Sequence, residues 1–131
     1  MRRKGSFTLI ELVMIIVILG ILSAVALPRF FDLQQEARES AEKGVVGGVR
    51  AGIATYYANQ CVTDTCSWPT ALSSSNTVGD CSLTNPCFDN VLQMGGITED
   101  DWQRASANNY VGPAGSTYVY TPADGSFLES N

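Results

Sequence analysis

One stretch limits what this chain can fold into. It runs from Phe7 to Leu27, FTLIELVMIIVILGILSAVAL, with Arg2, Arg3 and Lys4 ahead of it and Pro28 behind. Leu12 to Leu27 are sixteen consecutive uncharged residues, of which only Gly20 and Ser23 are neither strongly apolar nor alanine. As a helix, residues 7–27 rise roughly 31 Å, about the thickness of a bilayer's hydrocarbon core. The basic cluster is expected to stay cytoplasmic, which places the rest of the chain across the membrane. Glu11 stands out. A carboxylate in such a segment costs several kcal/mol unless it is paired, snorkels or is neutralised, so it marks a functional position.

Two plainer readings compete. A secretory signal peptide needs a small-residue cleavage site after its apolar run, and Ser23-Ala24-Val25-Ala26 imitates one. A signal-anchor helix needs only the apolar run. Neither explains Glu11.

The basic leader, FTLIEL, the apolar run and the proline together resemble the class III signal and N-terminal helix of type IV pilins and type II secretion pseudopilins. In that family a prepilin peptidase cuts just before the Phe and the new amino terminus is N-methylated. The family's acidic residue is fifth in the mature chain and its proline about twenty-second. With Phe7 as first, Glu11 is fifth and Pro28 twenty-second. The chain departs from the pattern in one place, where Ser6 lies between Gly5 and Phe7. A cut after Ser6 keeps both offsets and is preferred to a cut after Gly5. The resemblance covers the first quarter of the chain and makes Phe7, Glu11, Gly20 and Pro28 the assembly positions.

Behind the apolar segment about 100 of the 131 residues remain, enough for one small domain that gains from covalent staples. Residues 61–131 hold eight carboxylates against Arg104 alone, a net charge of −7. No basic patch exists there to hold a nucleic-acid backbone, so direct nucleic-acid binding is not expected. With no His in the chain, the usual general base and commonest metal ligand are missing. Cys61, Cys66, Cys81 and Cys87 lie on the expected oxidising side, where two disulfides are the natural outcome. Of the three pairings, Cys61–Cys66 with Cys81–Cys87 is preferred, since each closes a small loop. Zinc is the rival, disfavoured by the gaps between the cysteines.

The expected organisation is a leader over 1–6, a membrane and assembly helix over 7–28, an amphipathic helix over 29–60 and a head over 61–131. Gly20 and Pro28 weaken the helix, and the resemblance implies that the segment between them extends on assembly. Beyond Pro28, Arg29, Asp32, Gln34, Gln35, Glu36, Arg38, Glu39, Glu42 and Lys43 form a polar surface. Ala37, Ala41, Val45, Val49, Ile53 and Tyr57 form an i, i+4 row that is expected to carry the head. Ser40, Gly44, Gly48, Gly52 and Tyr56 form a second row for close backbone approach, by the domain's own sheet in preference to a neighbouring subunit.

Residues 61–90 read as a cysteine-tied loop that Trp68-Pro69 pins to the helix. Residues 90–96 read as a short helix or strand, and residues 98–101 as a capped turn leading to Trp102. Thr117–Tyr120 and Ser126–Leu128 flank an Asp-Gly turn and read as a hairpin, with Tyr110-Val111 as a further strand. The fold class is therefore α+β, a long N-terminal helix packed on a small antiparallel sheet with disulfide-tied loops.

No nucleophile–base pair, phosphate loop or metal-ligand cluster is visible, so an enzyme is not expected and no cofactor is implied. Glu99, Asp100 and Asp101 read as a solvated turn in preference to a calcium site. The resemblance implies a structural subunit of a type IV pilus-like surface filament. Its partners would be further copies in a helical filament, the prepilin peptidase, an inner-membrane assembly platform and the bilayer. It would start as a single-pass inner-membrane protein with its N-terminus cytoplasmic, then become extracellular. The alternatives are a type II secretion pseudopilin, a minor pilin, or a membrane-anchored binding module that never polymerises.

Overall fold

The computed structural model describes residues 5–63, 65–99 and 101–130. Of the expected features, Arg2, Arg3 and Lys4 of the leader and Asp100 of the acidic turn lie outside the described residues. One helix, α1, runs Leu9–Thr63 through Pro28. Residues up to Ala37 form one compact unit and residues from Arg38 onward another.

The first unit holds the apolar part of α1. Every described residue from Gly5 to Ala41 is exposed, including Ile15, Leu19 and Phe31. Mean hydropathy reaches 2.8 in an 18-residue window of this helix, which is long and apolar enough to cross a membrane. In water such a segment has nothing to bury its side chains against, so its stability must come from lipid or from another chain.

The second unit builds a core on the last third of α1. Five antiparallel strands follow in sequence order: β1 Gly79–Asp80, β2 Gln103–Arg104, β3 Asn109–Val111, β4 Thr117–Thr121 and β5 Ser126–Ser130. Tyr118 and Tyr120 alternate inward along β4, opposite Glu129 and Phe127, as the two-residue period of a half-buried strand requires. The β4–β5 turn closes on Gly125, whose φ of 71° favours glycine and whose N–H donates to Thr121 O at 2.9 Å. Phe88 lies at the centre of the core. Its ring meets Trp102 edge-on at 5.3 Å, Tyr110 at 4.4 Å and Phe127 at 5.7 Å.

The disulfides pair Cys61 with Cys66 and Cys81 with Cys87, the local arrangement. Trp68 stacks on Tyr57 of α1 at 4.0 Å, so the loop is pinned where the sequence placed the contact.

Four expectations need correction. First, α1 continues to Thr63, past residue 60. Cys61 is therefore helical, and the loop also yields β1. Second, the buried stripe on α1 is Glu42, Val46, Val49 and Ile53, with Val45, Tyr56 and Tyr57 half-buried and Ala37 and Ala41 exposed. Helical spacing of three and four residues, traced back from Ile53, leads to Glu42 and not to Ala41. Third, Glu42 is accordingly no part of the polar surface. Fourth, the sheet does not approach the glycine row. At Gly52 an added Cβ would run into the carbonyl of Val91, a residue of the loop, while at Gly44 it would meet open space.

Candidate functional site

The residues expected to govern processing and assembly lie at the start of α1. Gly5, Ser6 and Phe7 are exposed and precede the helix. The first helical turn leaves backbone N–H groups without intrahelical partners, and in lipid no water can satisfy them. Thr8 and Glu11 meet this need reciprocally. The Thr8 N–H donates to Glu11 Oε2 at 2.9 Å, and the Glu11 N–H donates to Thr8 Oγ1 at 3.4 Å. This is a capping box, with the carboxylate at the positive end of the helix dipole. Glu11 thus has an intramolecular role that the sequence reading did not assign, although the Thr-x-x-Glu spacing was there to read. Further along, Ser23 Oγ donates to Leu19 O at 2.7 Å. An added Cβ at Gly20 would meet nothing. The helix is intact from Gly20 through Pro28.

A second cluster organises the head. The Glu42 carboxylate, only 2 % exposed, accepts the Tyr118 hydroxyl at 2.7 Å and the Ala114 N–H at 2.7 Å. Gly112 is pressed against it so closely that any Cβ there would collide with the carboxylate. Burial first, and then the hydrogen bond to Glu42, push the Tyr118 phenol up to about 12, because a phenolate facing a carboxylate is repelled. Burial likewise pushes Tyr120 up to about 12; its hydroxyl donates to Pro69 O at 2.6 Å.

Arg104, 1 % exposed, donates from Nε to Ser106 O and from Nη2 to Ala107 O, and its guanidinium lies 5.8 Å from the Tyr110 ring centroid. It is held as a structural cation, not presented to a ligand. Among the described residues no three carboxylates or thiols converge as metal ligands. What this arrangement offers is a capped apolar helix and a cross-tied head, the parts of a subunit.

The comparisons agree. The prokaryotic N-terminal methylation motif matches residues 1–27. The chain is similar to type IV pilins, most closely in this N-terminal segment. It is 50 % identical over 54 residues to the type IV narrow pilus major component PilA5 of Thermus thermophilus, covering 41 % of this chain and 46 % of that one. It is 29 % identical over 109 residues to a fimbrial protein of Neisseria meningitidis, covering 83 % of this chain and 61 % of the relative. The type IV major pilin protein PilE of Neisseria gonorrhoeae matches at 29 % over 109 residues, covering 83 % and 62 %. The chain thus spans about half the length of the curated relatives it matches. No solved structure gives a significant match.

Proposed function

We propose that this pilin-like chain is a structural subunit of a type IV pilus-like surface filament. The observation that carries the reading is Glu11, the one charged residue in the exposed apolar stretch from Phe7 to Leu27, at the offset from Phe7 that the family's motif uses. Prepilin peptidase cuts after Ser6, the Phe7 amine is methylated, and the subunit waits in the inner membrane with its N-terminus cytoplasmic. On entry to the filament through a membrane platform, the Glu11 carboxylate pairs with the Phe7 amine of an adjacent subunit. Until then Thr8 keeps that carboxylate hydrogen-bonded, which lowers its cost in lipid.

A second feature supports polymerisation. Ala37, Ser40, Gly44, Gly47, Ala51, Ala54 and Ala58 follow one another at spacings of three and four residues, and all are exposed. A Cβ added at Gly44 or Gly47 would meet nothing within the chain, so internal packing does not explain these glycines. Each costs about 1 kcal/mol of helix propensity relative to alanine. Close approach by another helix explains them. During assembly the segment from Gly20 to Pro28 extends, since Pro28 already removes one helical hydrogen bond.

The test is a pair of variants. Glu11→Ala removes both cap and charge, whereas Glu11→Gln keeps an acceptor that can still cap. Both should be processed and inserted normally, and both should lose filaments from the sheared surface fraction. Wild-type filament yield from Glu11→Gln would reduce Glu11 to a cap and defeat the pairing mechanism.

A further inference from the structure

We propose that the cleft between α1 and residues 96–99 and 101–102 is a docking site for the Arg29-Phe30-Phe31 corner of a second copy of this chain, the point on α1 where its apolar run gives way to charge. The proposal rests on the filament reading and names a contact within it. The cleft encloses about 320 Å³, with Ala41 and Val45 of α1 on one side and Ile97, Trp102 and Pro113 on the other. Glu99 and Asp101, both exposed, also line it. That volume is at the small end of ligand pockets and suits an aromatic side chain, not a folded element. An apolar wall with carboxylates at its edge selects an apolar group that carries a cation beside it.

The distribution of charge identifies that group. Beyond residue 60 the sequence has one cation, Arg104, and it is buried. Two heads therefore repel each other, and a cation for the cleft must come from the helix of another copy. Among the helix cations, Arg50 already donates its Nε to Phe127 O at 2.9 Å. Arg29 differs from Arg38 and Lys43 in its neighbours, because it alone is followed by two exposed aromatics, Phe30 at 58 % and Phe31 at 64 %. These rings lie just past the apolar run, at the level where an interfacial aromatic belt shelters them in the membrane-held subunit. Once the subunit leaves lipid, that shelter is gone. A ring inserted beside Trp102, with Arg29 facing Glu99 and Asp101, supplies apolar cover and charge pairing together. Corner and cleft are different surfaces, so the contact is heterologous and propagates along a filament instead of closing a dimer.

The experiment places the photo-crosslinking residue p-benzoylphenylalanine at position 31 of the full chain, or at position 30 if the first position blocks assembly. Sheared filaments are irradiated and the crosslinked peptides identified by mass spectrometry. The expected product joins position 31 of one copy to the 96–102 segment, Val45 or Pro113 of another. In parallel, Arg29→Glu and the pair Glu99→Arg with Asp101→Arg should each lower sheared-filament yield about tenfold or more. The combined swap should restore most of it, with processing and head circular dichroism unchanged throughout. Crosslinks that map elsewhere, form within one chain or fail to form in assembled filaments overturn the docking site, as does a swap that restores nothing. Absence of wild-type chain from the sheared fraction is a different failure, and sinks the filament reading itself.

Discussion

Two stretches of α1 share one helical geometry and differ in what holds them. From Leu9 to Ala37 every side chain is exposed, and its ties include local ones such as the Thr8–Glu11 cap and the Ser23–Leu19 bond. From Glu42 to Ile53 a narrow stripe is buried against residues that lie far away in sequence, with Tyr118 76 positions from its partner Glu42. The first stretch is mostly apolar, and none of its side chains is buried. The second is less apolar and buries one stripe, Glu42, Val46, Val49 and Ile53, within its own domain.

The largest effect should come from breaking the tie in the second stretch. Glu42→Ala leaves the Tyr118 hydroxyl and the Ala114 N–H buried without an acceptor, at about 1–3 kcal/mol each. Urea unfolding followed by near-UV circular dichroism should show about 2–5 kcal/mol lost, against under about 0.5 kcal/mol for Glu36→Ala in the first stretch. Equal effects would erase the distinction between the stretches. Next come the disulfides. Cys81 and Cys87 are fully buried while Cys61 and Cys66 are exposed, so mass analysis during graded reduction should show the 61–66 bridge opening first. Replacing Cys81 and Cys87 together by Ser should cost about 2–3 kcal/mol, as expected for small loops.

The glycines sharpen the comparison further. Gly52→Ala should cost about 1–3 kcal/mol, because its methyl group would strike the Val91 backbone. Gly44→Ala should instead stabilise the detergent-held subunit by up to about 1 kcal/mol while impairing filament formation. The smallest effect at neutral pH is ionisation of the buried tyrosines. Burial raises Tyr118 and Tyr120 to about 12, so the folded state favours the neutral phenols. Their contribution is complete below the unfolded value near 10, and is lost as pH rises through about 12. Phenolate absorbance should therefore develop for these residues only with alkaline unfolding. Titration near pH 10 in the folded head would contradict their burial.

The sequence displayed what local pattern can carry. The apolar run, the Thr-x-x-Glu cap, the β4–β5 hairpin with Asp124-Gly125 and the two short cysteine spacings all depend on near neighbours. Glu42 was hidden because a carboxylate on an amphipathic helix ordinarily faces water, and its partners Tyr118 and Ala114 join it only through folding. The pattern of Val46, Val49 and Ile53 did point back to it. β1 and β2, two residues each, were illegible because pairing with their neighbours, and no alternation of their own, makes them strands. The lone head cation, Arg104, gave no sign of burial, since the carbonyls of Ser106 and Ala107 that hold it are invisible in side-chain composition.

The most direct test of the central claim is the intact mass of the chain in the sheared surface fraction, measured separately from the inner membrane. A pilin subunit cut after Ser6 appears in the sheared material without its first six residues, with one added methyl group and with four cysteine hydrogens lost to two disulfides. A chain that keeps its leader and is found only in the membrane would contradict both the processing and the assembly.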